Sequence, residues 1–156
     1  MPTKRTETQV GTVFLETVGL EEIIELRYEL LIKPTTYPHR EFDGDHDPTT
    51  LHFRAVLNGR TVSCASCMQS NWEGSPASQL RGMATVPELR SLGLGGALLK
   101  FCEECAAAFH QSEVMWCNAQ LPAKRFYARH GYSEAGKEFT VEGVGPHIRM
   151  FKRLRG

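Results

Sequence analysis

Nowhere does this chain run to the about 18 apolar residues in a row that a membrane span requires, and its opening MPTKRTETQV holds no apolar stretch of signal-peptide length. A cytoplasmic protein without a membrane partner is the expectation. An excess of either charge is missing as well, since 18 lysines and arginines stand against 18 aspartates and glutamates. Without a long-range positive field nucleic acid and anionic lipid are poor partners, and without an acidic surplus so is a basic protein. Cysteine is sparse and odd in number, five in 156 residues, which argues for reduced, mostly packing thiols over a disulfide framework.

What is present is 41% hydrophobic residues. A domain of this size buries about 68–70% of its unfolded surface without metals or disulfides, so residues 1–156 are expected to form one domain around one core. A small ligand suits such a chain better than a macromolecule.

Residues 12–18 read as a strand, and residues 20–32 as a helix with apolar side chains at Leu20, Ile23, Ile24, Leu30 and Leu31, stopped by Lys33 and Pro34. Residues 34–50 turn to Pro, His, Asp, Gly and Thr, a loop or broken helix of the kind that shapes binding sites. Residues 51–57 and 61–69 flank Asn58 and Gly59, a strong hairpin pattern. A strand at 79–86, a helix over 97–111 and a short strand at 114–117 follow. Residues 121–130 read as a helix with Pro122 in its first turn and Gly131 at its stop. Two strands, at 132–141 and 147–153, close the chain around a loop at 142–146.

Between the strand at 79–86 and the helix lies RSLGLGG, residues 90–96. A helix start offers N–H groups without intrahelical partners and the positive end of the dipole, so a diphosphate can dock there if no side chain intervenes. Gly93, Gly95 and Gly96 keep the approach clear. A dinucleotide fold would want glycine at position 98 and an acidic residue closing the next strand, where this chain has Leu98, Cys117 and Asn118. A Walker loop would want Gly-Lys-Ser/Thr, which does not follow.

Arg90, Ser91, Leu92, Gly93, Leu94 and Gly95 fit the pattern (Q/R)xxGx(G/A). With Thr85, Val86 and Pro87 before the turn, Asn118 after the next strand, and Phe126, Tyr127, Gly131 and Tyr132 in an FYxxxG(F/Y) ending, the chain resembles the GNAT superfamily of N-acetyltransferases, which bind acetyl-coenzyme A. Its last segment, KEFTVEGVGPHIRM, is similar to that of a bacterial ElaA-like subgroup.

The resemblance implies an α/β fold with a mixed, largely antiparallel central sheet of about seven strands flanked by about four helices, two strands splaying so that the pantetheine arm takes the place of a missing strand. The arm would bond to the main chain at Met83, Ala84 and Thr85, with an N–H near Thr85 polarising the thioester carbonyl. The diphosphate would accept from the amides of Arg90, Ser91, Leu92, Gly93, Leu94, Gly95 and Gly96, with Asn118 also at the cofactor. Tyr127 stands at the family's proton-donor position for the leaving thiolate; by itself a tyrosine on a short helix would read as a packing residue.

The attacking amine must lose a proton, yet residues 79–86 contain no Asp or Glu, where some relatives carry a helping carboxylate. His147 and His52 are the preferred histidines for that task. Each could equally be a histidine bonded to a backbone carbonyl, and a water chain to solvent is a third route. Arg27 and Arg81 could recognise a carboxylate or other anionic group on the substrate, or be merely salt-bridged or solvated.

Two metal patterns fail on spacing. Cys64 and Cys67 fall inside a strand, where positions three apart face opposite sides, and Cys102 and Cys105 lie mid-helix. Counted as a calcium loop from Asp43, through Asp45 and Asp47, the sixth position is Pro48 and the twelfth Arg54. No metal is expected.

The reading is an acetyl-coenzyme A-dependent N-acetyltransferase that transfers acetyl directly to a primary amine, most simply on a small molecule. A non-catalytic acyl-coenzyme A-binding or sensing module is the alternative, and a redox or zinc module built on the cysteines a third. The superfamily's habit of dimerising through edge strands leaves a homodimer open.

Overall fold

A computed structural model of the chain describes residues 2–154. Its eight strands join one sheet in the order β1-β2-β3-β4-β5-β6-β8-β7: β1 Thr3–Thr8, β2 Gly11–Val18, β3 Leu51–Leu57, β4 Arg60–Trp72, β5 Ser75–Thr85, β6 Val114–Gln120, β7 Ser133–Val141 and β8 Gly145–Arg153. All neighbours are antiparallel except β5 and β6, which run parallel. The helix α2, Leu94–Phe109, makes that crossover.

Two tight turns set the long central hairpins. Asn58 and Gly59 (φ 50° and 78°) join β3 to β4, and Glu73 and Gly74 (φ 49° and 83°) join β4 to β5, the paired left-handed residues that match the twist of the flanking strands. The second hairpin lengthens both strands beyond the sequence expectation, so that residues 75–78 belong to β5 and not to a connection. The eighth strand is β1, which carries Lys, Arg and Glu along an edge and pairs with β2. Charges of that kind protect an edge from further pairing.

The expected helix over residues 20–32 is broken into a 3-10 turn at Leu20–Glu22, a short α1 at Ile24–Arg27 and a π turn at Tyr28–Ile32. Near the other end α3, Lys124–Arg129, follows a 3-10 turn at Leu121–Ala123 that contains Pro122.

The core lies mainly between the sheet and α2, where Leu94, Leu98, Leu99, Phe101, Cys102, Cys105 and Ala106 are buried. Phe101 meets Phe53 edge to face at 5.7 Å between centroids. A smaller cluster of Leu20, Ile23, Cys64 and Ala84 fills the other face under the broken helix. Cys64 and Cys67 thus fall in different clusters, as the alternation of a strand requires.

Candidate active site

Parallel pairing of β5 with β6 is confined to three positions, Ala77 with Val114, Ser78 with Met115 and Gln79 with Trp116. Beyond them β6 stays paired to β8 as far as Gln120 opposite His147, and β5 stays paired to β4 as far as Thr85 opposite Ser63. The two strands part, and a cleft opens between them.

A bulge in β5 accompanies the parting. Ser66 pairs with Arg81 and Cys64 with Ala84, so three steps on β5 answer two on β4, and Gly82 turns through φ 60°. A Cβ on Gly82 would stand 2.9 Å from Arg27 Nε and 3.1 Å from the Phe42 ring, so glycine is required there by space as well as by conformation. Past the bulge, Val86 N–H donates to Val62 O at 2.9 Å. By strand alternation Thr85 therefore turns its own N–H and C=O away from β4, into the cleft.

The chain then makes a 3-10 turn at Pro87–Leu89 and passes through Ser91 (φ 64°) and Gly93 (φ 92°) into α2. Ala97 N–H donates to Gly93 O at 3.1 Å, which leaves the amides of Leu94, Gly95 and Gly96 ahead of the first helical bond. A Cβ at Gly95 would stand 3.3 Å from the Phe126 ring and one at Gly96 2.7 Å from the His130 ring. These two glycines thus admit the aromatic side of α3 as well as keeping the turn open. Arg90 donates from Nε to Thr85 O at 3.1 Å.

Two adjoining cavities line the cleft, of about 520 and 1170 Å³, and they share Leu31, Met83, Arg90, Pro122, Ala123 and Tyr127. The larger runs over Thr85, Ser91, Gly93, Gly95 and Gly96. The smaller is walled by Gln79, Arg81, Asn118, Gln120 and His147, with Tyr37 and Phe42 from the loop at 34–50. That loop meets the β7–β8 turn where Thr36 N–H donates to Gly143 O at 3.2 Å.

Tyr127 stands at the seam of the two cavities. Its ring packs edge to face on Phe126 and Tyr132, at 5.1 and 5.5 Å. Burial, aided by the neighbouring Cys117, pushes its hydroxyl well above the ordinary tyrosine range, so it holds its proton at neutral pH. His147, also buried, has Nδ1 2.8 Å from Gly145 O and its ring stacked on Phe139. A carbonyl only accepts, so Nδ1 carries the hydrogen and Nε2 is the nitrogen with a free lone pair. Asn118 Oδ1 accepts from Arg149 Nε at 3.2 Å.

Cys117 lines the smaller cavity, but burial pushes its thiol up to about 12, which leaves little thiolate at neutral pH.

Two sequence candidates are drawn elsewhere. His52 and Arg27 line neither cavity and are joined to each other through Asp45 and Ser66. Arg27 is fully buried and donates to both Asp45 oxygens, at 2.7 and 2.9 Å, and to Ser66 Oγ at 3.0 Å. His52 Nε2 donates to Asp45 O (2.9 Å) and Nδ1 accepts from Ser66 Oγ (2.7 Å). With both ring nitrogens used and burial depressing its pKa, His52 is a neutral network member and not a base within reach of the cleft. Arg27 has its anion inside the protein, so the expectation of a substrate contact from it is replaced by a clamp on the loop. The acidic run is spent in the same way: Asp45 on Arg27, and Asp47 on Thr49 N–H and Oγ1, both 2.8 Å away.

Sequence reasoning did not reach Gly82, Tyr37, Phe42 or Gln120. A lone glycine inside an otherwise strand-like run was the one available sign of the bulge.

A family described as "Acetyltransferase (GNAT) domain" matches residues 27–154. An "Uncharacterized N-acetyltransferase YitI" of Bacillus subtilis (strain 168) is 31% identical over 144 residues, 90% of this chain and 96% of the relative. The crystal structure of Escherichia coli ElaA superposes with a TM-score of 0.74 at 18% identity, covering 90% of this chain and 99% of that one. A GNAT family acetyltransferase from Elizabethkingia anophelis with acetyl-CoA bound superposes with a TM-score of 0.65 at 15% identity, over 90% and 97%. At those identities the two solved structures speak for the fold.

Proposed function

The chain belongs to the GNAT acetyltransferase family, and we propose that it works as one cytoplasmic domain that transfers acetyl from acetyl-coenzyme A directly to a primary amine of a small molecule. The observation that carries this reading is the parting of β5 from β6 after Gln79 and Trp116, with the free side of β5 leading straight to the α2 N-terminus.

Acetyl-coenzyme A supplies the acetyl group as an activated thioester. The residues present suit it. Thr85 offers strand main chain to an extended amide-bearing arm and Met83 lines both cavities beside it, whereas Ala84, expected to join them, turns its main chain to β4, where its carbonyl accepts from Ser63 Oγ at 2.9 Å. Gly93, Gly95 and Gly96 present the amides of the turn without a side chain in front, Arg90 adds charge at the junction of the two cavities, and Asn118 lies on the facing strand.

Tyr127 holds a proton that the departing sulfur needs. His147 offers Nε2 as the acceptor of the amine's proton, directly or through water. An alkylammonium with a pKa of about 10.4 is less than about one part in a thousand free base at pH 7, so some acceptor is needed. Cys117 is held as a thiol, which favours direct transfer over an acyl-enzyme.

Calorimetry with acetyl-coenzyme A, followed by thiol release over a panel of amines, tests the reading. Binding with turnover of at least one amine is expected, and Cys117→Ala should keep that turnover. Binding with no turnover across the panel would favour the sensing module, and absence of binding would overturn both.

A further inference from the structure

The cavity of about 520 Å³ on the acceptor side is within the about 300–1,000 Å³ of small-molecule sites. Among the described residues no aspartate or glutamate lines it. Its two full charges are both positive, Arg90 at the glycine turn and Arg81 on β5. Four steps along β5 lead from Arg81 to Thr85, about 13 Å of extended strand at most. Arg81 is therefore the cation of the end remote from the diphosphate turn.

Arg81 and Arg27 lie on the same aromatic ring, their guanidinium carbons 5.0 and 4.3 Å from the Phe42 centroid. Arg27 is neutralised by Asp45 in a two-pronged pair, whereas Arg81 has no carboxylate within 4.0 Å among the described residues. Instead Nη1 donates to Asp43 O at 2.7 Å and to Met68 Sδ at 3.3 Å. A carbonyl, a thioether and a ring face fix the group without cancelling its charge. Half-burying a guanidinium in this way is unfavourable unless something completes it, and burial does pull its pKa below the ordinary arginine value.

An acceptor with several cationic centres would find only like charge here. Resting on the acetyl-transfer reading, we propose that the acceptor is a small amino acid-like amine whose carboxylate is held by the guanidinium of Arg81. The fork of arginine matches a carboxylate bidentately, and such a hold fixes the amine's distance from the thioester. In the transfer a C–N bond forms and the C–S bond breaks. The proton of the amine passes to the base, the sulfur leaves with a proton from Tyr127, and the proton held by the base returns through water to the Tyr127 oxygen.

Matched pairs test this, each amino acid against its decarboxylated amine and its aminophosphonate analogue, by calorimetry on the protein saturated with coenzyme A and by thiol release. The amino acid should bind and turn over about 10- to 100-fold better than the decarboxylated amine, the scale of hydrogen bonds to a charged group. It should also outdo the phosphonate. Arg81→Gln should erase the preference chiefly through KM, with acetyl-coenzyme A affinity unchanged, and Arg81→Lys should restore part of it. Equal or better use of the decarboxylated amines by the unaltered protein, or preference for the phosphonate, would overturn the carboxylate assignment. Loss of coenzyme binding in both Arg81 variants would make the residue structural. Failure of the unaltered protein to bind acetyl-coenzyme A would instead strike the acetyltransferase reading, a result the amine pairs do not mimic.

Discussion

Arg27 and Asp45 meet through two parallel contacts, Nη1 to Oδ2 at 2.7 Å and Nη2 to Oδ1 at 2.9 Å, and the two side chains are 0% and 3% exposed. Asp45 also accepts from Phe42 N–H at 2.7 Å, so the pair ties the loop that walls the smaller cavity to α1 and, through Ser66 Oγ, to β4. Removing one partner leaves a buried charge without compensation. Asp45→Ala should therefore cost about 3–5 kcal/mol in urea unfolding, and a joint replacement by Met at position 27 and Leu at position 45 should cost less than either single loss. Burial raises the Asp45 pKa, but hydrogen bonds from Arg27 and Phe42 outweigh it and leave the carboxylate below its ordinary value of 3.8. A depressed acid stabilises the fold above its unfolded pKa and loses that contribution as pH falls through the folded one. The destabilisation by Asp45→Asn should thus be full at neutral pH and shrink below about pH 4. A double mutant as costly as the sum of the singles would contradict this account.

The glycines of the turn separate two causes. Gly93 sits at φ 92° with nothing within 4 Å of an added Cβ, so Gly93→Ala strains only the main chain, at about 1–3 kcal/mol. Gly96→Val has a different target, because its Cβ would stand 2.7 Å from the His130 ring that walls the larger cavity. Calorimetry should find acetyl-coenzyme A bound at least about 10-fold more weakly by Gly96→Val, a loss of about 1.4 kcal/mol. Unchanged affinity would remove the turn from the coenzyme site.

The hairpin at Asn58 and Gly59 was legible because its turn residues are the ones that conformation demands, and α2 because a glycine turn precedes an apolar-periodic run. The turn at Glu73 and Gly74 was not, since the following Ser75, Pro76, Ala77 and Ser78 are small and lack a strand's apolar alternation. Nor was β1, whose TKRTET has no apolar residue and is held by pairing along the sheet edge. The glycine turn and Tyr127 could be located because a local motif carries them. The fates of Arg27 and His52 depended on Asp45 and Ser66, 18 and 14 positions away, and pairings at that distance are fixed by folding and not by spacing. The broken first helix has a similar origin: Lys33 N–H donates to Tyr28 O at 2.8 Å, a wider register that no residue between Leu20 and Ile32 announces.

Tyr127 and Tyr132 make a matched pair for the chemistry. Their rings touch at 5.5 Å, but the Tyr132 hydroxyl donates to Glu103 Oε2 at 2.8 Å, whereas Tyr127 lines both cavities. Phenylalanine preserves the packing in either place, so each substitution removes one hydroxyl and little else. Tyr127→Phe should lower kcat by about 10²-fold or more, the scale of general-acid effects, with melting temperature and acetyl-coenzyme A affinity close to the unaltered protein's. Tyr132→Phe should do the reverse, lowering stability by about 1–3 kcal/mol for the lost hydrogen bond to a charged acceptor, which among the described residues keeps only Lys152 at 2.9 Å, while kcat stays near normal. Because burial keeps the Tyr127 proton on well past the ordinary tyrosine range, no loss of rate from its ionisation should appear between pH 7 and pH 9. A kcat unaffected by Tyr127→Phe would place the proton donor elsewhere, and an equal fall in both variants would trace the effect to packing.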